Sequence, residues 1–426
     1  MKRLELSVWS VGFWLSIVCQ ATVLPATLGL GVLSRIANTA VLALFAAGAL
    51  LTLARRHAEK VAVFYLLPAF LVLIGYVINI GRSGSLEALS HLGLVVPWLA
   101  ILSVPFVRGL DWERYWRHFH RFMFWGSVVA LLEYAGMLMG YIVPVAIDTD
   151  LGQYNKGVLT IFYSLGDGEA GNFPRLYGVF PEPGTFAMFL LPAISYALVM
   201  RKPLALAVYI PCMVFTASLG GYIGLALVGA PFVIWLMRGR HVLVGLGIVG
   251  VSAVILAVIG PAIYDYVQLA YAMRGDSASV RESNVQSFLQ NVLPALAAHP
   301  FGFALEGHAF SELQGEDFYF GSNFSLATAA VTGGVLAFIG YLTFVLANLV
   351  TWSSRFLHRR STGVEAVALL CLPALVSFIV QRATIFESVL YAYLFAPLVV
   401  ATLRNSSFSA ELDFLGKLRI VSAENK

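Results

Sequence analysis

The feature that most constrains this chain is a succession of apolar runs, each close to the length of a bilayer crossing. A helix rises about 1.5 Å per residue, so about 20 mostly apolar residues cross the hydrocarbon layer. Twelve runs meet or approach that length: 8–29, 36–54, 62–80, 89–107, 119–143, 182–200, 203–217, 219–237, 241–260, 324–350, 362–381 and 386–403. Water is absent from the bilayer interior, so the backbone of each run must satisfy its own hydrogen bonds, and a helix does this. The expected fold is therefore all-α: a polytopic membrane protein of about 12 transmembrane helices, forming one integral membrane domain over residues 1–426. The pair 203–217 and 219–237 divides at Ser218-Leu219-Gly220-Gly221. One long helix, or a re-entrant pair, is the alternative reading there.

The distribution of charge tests the count of spans independently. Only 12% of the 426 residues are charged and 59% are hydrophobic, against about 25% charged in a soluble domain. With the N-terminus in the cytoplasm, the inner segments hold 20 of the 27 basic residues. The outer segments hold Arg35, Arg82, Lys156, Arg175, Arg274, Arg281 and Arg382. Basic residues mark cytoplasmic loops, and losing one span would exchange the sides of every later loop. Twelve spans with both termini cytoplasmic is the arrangement that keeps the asymmetry. The net charge of +4 is thereby a topology signal, and no nucleic-acid partner is expected. Cys19, Cys212 and Cys371 each fall inside an apolar run, which gives neither a disulfide framework nor a zinc pattern. Lys2 and Arg3 precede the first run without a small-residue cleavage site, so that run reads as a retained helix.

Two outer loops are long, at about 144–181 and about 261–323. The first is acidic, with Asp148, Asp150, Asp167 and Glu169. In the second, Val285, Phe288, Leu289, Val292, Leu293 and Leu296 recur at three-to-four spacing. That pattern predicts an amphipathic helix lying on the membrane surface or lidding a cavity. The inner loops leave no room for a nucleotide-binding domain, and no P-loop pattern occurs. GLGIVG at 245–250 lies inside an apolar run and reads as close helix packing.

Scarce outer charges are the candidates for chemistry. Arg175 and Glu182 stand seven positions apart in FPRLYGVFPEPGTFA, residues 173–187, at the mouth of the sixth span. Arg274 and Arg281 lead into the amphipathic stretch, and Arg382 sits in the short link between the last two spans. Arginine keeps its charge at any working pH, and its planar fork matches phosphate oxygens. Each also has a bland reading, as an anchor to lipid headgroups or a partner of a nearby acid such as Asp276 or Glu387. Glu182 precedes Pro183 at a helix start, where a carboxylate is welcome as a cap. Alternatively it serves as a general base or orienting group for an attacking hydroxyl. His308 and His299 are the rival bases, and no metal-ligand spacing is present.

On these residues the chain resembles the O-antigen polymerase and ligase superfamily of bacterial envelope proteins. RLYGVFPEPGTFA is similar to the Arg–Gly–Glu-Pro motif of Wzy-type polysaccharide polymerases. The stretch from Arg281 through HPFGFALEG to SNFSLATAAVTGGVLAFIGY is similar to a second superfamily layout. In that layout an arginine, an amphipathic helix, a His-Pro-containing turn, an asparagine and a glycine-rich helix follow in order. Ligases of the superfamily carry a histidine just before that asparagine. Here the position is Ser322, ahead of Asn323, which directs the resemblance to the polymerases. The resemblance implies a GT-C-like glycosyltransferase in the bacterial inner membrane, with its active site facing the periplasm. The substrates would be undecaprenyl-pyrophosphate-linked repeat units, with no metal and no other cofactor. Arg175 and Arg281, with Arg274 and Arg382 as further candidates, would bind the pyrophosphate. Glu182 or His308 would act as the catalytic base. Membrane lipids and a chain-length regulator protein are the implied partners. A ligase, or a flippase or secondary transporter, stands as the alternative.

Overall fold

The described structure is mostly helical, as its apolar composition requires, and helix termini fall where backbone chemistry changes. A computed structural model describes residues 10–11, 13–15, 17, 62–83, 91–104, 111–142, 145–147, 156–160, 163–165, 175–180, 182–237, 285–303, 324–358, 363–380 and 390–395. The expected spans 36–54 and 241–260, and all but six residues of 8–29, lie outside them.

Helix α1 is Ala62–Ser83 and α2 is Val95–Ser103, the latter entered through a 3-10 turn at His91–Leu94. Helix α3, Trp112–Leu138, starts ahead of its apolar run because Asp111 caps it, Oδ1 accepting from the Arg114 amide at 3.1 Å. The long loop that follows carries a small antiparallel sheet in the order β1–β2–β3: Val145–Ile147, Lys156–Thr160 and Tyr163–Leu165. Helices α4 (Pro183–Val199), α5 (Pro203–Phe215) and α6 (Leu219–Met237) come next. The division expected near Ser218 is present, and α5 and α6 are separate helices. A helical segment at 285–295 contains a π turn at Phe288–Val292. Helices α7 (Ser325–His358), α8 (Gly363–Ser377) and α9 (Leu390–Leu394) complete the described elements.

Three of these helices, α1, α6 and α7, are long and apolar enough to cross a membrane, while α4, α5 and α8 are shorter apolar helices. Helix α3 leaves Trp125, Val129 and Leu132 exposed at three-to-four spacing, Trp125 by 64%. A stripe of that size belongs against hydrocarbon rather than water.

Helices α1 and α7 pack backbone to backbone. A methyl group at Gly75 would stand 2.5 Å from the Gly333 carbonyl oxygen, and one at Gly340 would stand 2.6 Å from that of Pro68. Lipid gives no hydrophobic drive for one helix to pair with another, so small residues bring backbones into van der Waals contact instead. Further along α7, Tyr391 Oη donates to the buried Asn348 Oδ1 at 2.5 Å, tying in α9. Trp116 Nε1 donates to the Leu394 carbonyl at 2.9 Å, joining α9 to α3.

Helix α7 departs from the single continuous span expected at 324–350. Gly334 takes φ 65 and ψ −157 in its middle, which breaks the helical ladder. In an unbroken helix the Val335 amide would donate to the Val331 carbonyl. Here Val335 N donates to Pro300 O at 2.9 Å, and Val331 O accepts from Phe303 N at 2.9 Å. The turn His299–Phe303 thus inserts into the gap and takes up both groups that the break releases. Asn79 of α1 completes the junction, its Nδ2 donating to Phe303 O at 2.9 Å and to Thr332 O at 3.0 Å. The amphipathic segment leading into this turn is packed in place. Phe288, Val292 and Leu296 are buried against Phe324, Ala327, Ala330 and Val331 of α7 and its entry, while Leu289 and Leu293 face outward.

Candidate functional site

The segment 175–182 is built on the junction between α5 and α6. Helix α5 ends at Phe215, and the last carbonyls of any helix lack partners within it. The chain turns sharply at Ala217, φ 45, and Ser218 Oγ caps α6 by accepting from Gly221 N at 3.3 Å. The released carbonyls are taken by the segment. Leu176 N donates to Phe215 O at 2.9 Å. Arg175 Nε donates to Thr216 O at 3.0 Å and Nη2 to Ala217 O at 3.4 Å. A guanidinium at this position also meets the negative end of the α5 dipole. The Thr216 hydroxyl stiffens the same turn, donating to Met213 O at 2.7 Å and accepting from Ser218 N at 3.3 Å.

From this anchor the chain folds back on the start of α4. Phe180 N donates to Tyr177 O at 3.2 Å across a turn whose Gly178 has φ 57. Glycine is needed at that angle, and an added methyl would also press on the Phe186 ring at 3.2 Å. Phe180 stacks on Phe186 with centroids 5.5 Å apart and meets Phe189 at 4.7 Å. Residues 176–180 are buried in consequence, and the chain emerges at Glu182, which is exposed.

Glu182 is the N-cap residue of α4 by its backbone. Its φ of −147 and ψ of 149 are extended, its carbonyl accepts from Phe186 N at 3.0 Å, and Pro183 occupies the first turn. Its side chain makes no capping hydrogen bond. The carboxylate lies at the positive end of the α4 dipole. One segment thus carries both candidate charges, the arginine rooted on the α5–α6 turn and the carboxylate presented at the start of α4.

Of the other candidates, His299 belongs to the α7 wedge. Its amide donates to Ala295 O at 3.0 Å, closing the helical segment, and its ring stacks on Phe303 at 4.9 Å. Arg82, named in the sequence only as an outer basic residue, lies 5.2 Å over the Phe301 ring of the same turn. Arg274, Arg281, His308 and Arg382 lie outside the described residues. Asn79 escaped the sequence reading, although one amide in the apolar run 62–80 is itself a signal. A polar group placed there needs a partner on another segment. No protein-family model and no curated protein matches this chain.

Proposed function

We propose that the chain is a membrane glycosyltransferase that polymerises lipid-linked oligosaccharide repeat units at the outer face of the membrane. The observation that carries this reading is the 175–182 segment. It joins an arginine bonded to backbone carbonyls to an exposed glutamate at the start of α4 through one buried turn. In the proposed reaction, an acceptor sugar hydroxyl attacks the anomeric carbon of the donor glycan. The bond from that carbon to the pyrophosphate oxygen breaks, the lipid pyrophosphate leaves with the electron pair, and the hydroxyl proton passes to Glu182. Arg175, joined by Arg281, Arg274 or Arg382, offsets the negative charge that gathers on the leaving group. His308 is the alternative base. The likeness of RLYGVFPEPGTFA to the polymerase motif supports the same assignment.

The test uses purified protein in detergent with undecaprenyl-pyrophosphate-linked repeat units and no nucleotide, the products being resolved by size. A ladder of lipid-linked glycans is expected, and Glu182→Gln should reduce it by about 10²-fold or more, the scale of a lost general base. An undiminished ladder in that variant would transfer the base role to His308. No ladder with the parent protein, but transfer once lipid A core is supplied, would make the chain a ligase. A flippase is the second reading, favoured by the broken helix α7, since interrupted helices are common in transporters. Lipid binding and translocation in vesicles with no glycan transfer would establish it.

A further inference from the structure

The exposed face of α3 changes character along its length. Arg114, Arg117 and Arg121 follow one another at three-to-four spacing, and the same stripe continues as Trp125, Val129 and Leu132. Residues so spaced stack on one side of a helix. All six are exposed, so one face runs from three guanidinium groups into uncovered apolar side chains. Like charges one turn apart repel, and among the described residues none of these arginines forms an ion pair. Arg114 Nε donates to His118 Nε2 at 3.3 Å, a contact that leaves its charge unbalanced. Of the nearby acids, Asp111 is committed to the helix cap, and Glu113 stands one turn before Arg117 without pairing to it.

Two more cations, the exposed Arg201 and Lys202, come from the link between α4 and α5. Tyr209 fastens this end of α5 to α3. Its Oη donates to the His120 carbonyl at 3.0 Å and lies 2.9 Å from Nδ1 of the same ring. Arg121 and Lys202 consequently both lie within electrostatic reach of the His120 ring. Five cations thus gather at one corner, at the opposite end of α4 and α5 from residues 175–182, against the two acids.

The length of the face identifies its occupant. From Arg121 to Leu132 the helix rises about 16 Å, close to half the depth of a hydrocarbon layer about 30 Å thick. A surface that is cationic at one end and apolar for one leaflet beyond it complements an anionic lipid lying along the helix. A soluble acidic peptide would match the cationic end alone and leave Trp125, Val129 and Leu132 uncovered. Tryptophan one turn inside a row of arginines is also the order found at a membrane interface.

We propose that this face of α3 holds an anionic phospholipid from the leaflet at this end of the helices, which the charge asymmetry of the sequence predicts to be the cytoplasmic one. Its phosphate is held by Arg117 and Arg121, with Arg201 and Lys202 beside them, and one acyl chain runs along Trp125, Val129 and Leu132. Guanidinium forks suit phosphate oxygens, and basic clusters at this level of a membrane attract anionic headgroups. The site is separate from the 175–182 segment and does not depend on the reaction assigned to it.

The experiment is native mass spectrometry of the full chain in mild detergent, incubated with equimolar phosphatidylglycerol and phosphatidylcholine of the same acyl chains. The parent protein should retain phosphatidylglycerol about tenfold over phosphatidylcholine, and Arg117→Gln with Arg121→Gln should bring the two to within about twofold. Trp125→Ala should lower retention of both lipids alike, since it removes apolar contact and no charge. Arg82→Gln, which removes the exposed arginine over Phe301, should leave the preference unchanged. The proposal is overturned if the parent shows no preference, if Arg117→Gln with Arg121→Gln keeps it, or if Arg82→Gln loses it as fully. An acidic protein retained in place of lipid would likewise overturn it. If that double variant fails to fold, Arg121→Gln with Lys202→Gln replaces it, and the comparison of the two lipids on the parent protein needs no substitution.

Discussion

Two helix interruptions in this molecule meet the same difficulty in opposite ways. At the α5–α6 junction the chain turns over Thr216 and Ala217, and the released carbonyls are gripped by a guanidinium, that of Arg175. At Gly334 in α7 the released carbonyl and amide are taken by another stretch of backbone, residues 300–303, and the remaining acceptors by the neutral Asn79. The charged solution sits at a partly buried position, where a cation keeps access to polar groups. The neutral one is buried, where a net charge would carry a large desolvation cost. The comparison separates a junction held by a charged side chain from one held by backbone and a neutral amide.

The largest effect is expected where the neutral junction admits no side chain. Gly334→Ala adds a methyl 2.3 Å from Pro300 O at a residue with φ 65. Strain and overpacking together should cost about 2–5 kcal/mol. The readout is thermal unfolding in detergent and the amount of protein recovered from membranes, and a shift under 1 °C would refute the wedge. Next comes Asn79→Leu, which keeps the side chain's bulk but removes two hydrogen bonds to buried carbonyls, at about 0.5–1.5 kcal/mol each. Its melting temperature should fall without loss of helical content. Arg175→Lys should cost least in stability, about 1 kcal/mol, because the site is partly exposed and a cation is retained. If the proposed function holds, it should nonetheless depress glycan-ladder formation strongly, because the planar fork is lost. Equal stability losses in Asn79→Leu and Arg175→Lys would erase the distinction between the junctions. The double variant sharpens it, since separate junctions should give losses additive to within about 0.5 kcal/mol.

Part of this contrast could be read in the chain itself. The interruption at Ser218-Leu219-Gly220-Gly221 is visible as a run of small residues between two apolar stretches, and α6 does begin at Leu219. Glu182-Pro183 announces a helix start, and α4 begins at Pro183. The amphipathic segment shows its stripe, though three-to-four spacing did not distinguish Phe288, Val292 and Leu296, which are buried, from Leu289 and Leu293, which are not. That choice depends on which surface the segment meets. The break at Gly334 was not legible, because Gly333-Gly334 in an apolar run reads equally well as a tight packing face, which Gly333 in fact supplies against Tyr76.

What the sequence determined by itself is whatever depends on local composition: the long apolar helices, the caps that begin them, and the asymmetry of charge along the chain. Solvent and backbone hydrogen bonding act on each residue where it stands, so these need no distant partner. Only the tertiary structure decided that Arg175 would reach the carbonyls of Thr216 and Ala217, and that Asn79 would bridge Phe303 and Thr332. Those pairs are 41 to 253 residues apart in the chain. Every apolar helix offers similar surfaces to its neighbours, so the choice of partner follows from how glycines fit and which buried polar groups must be satisfied.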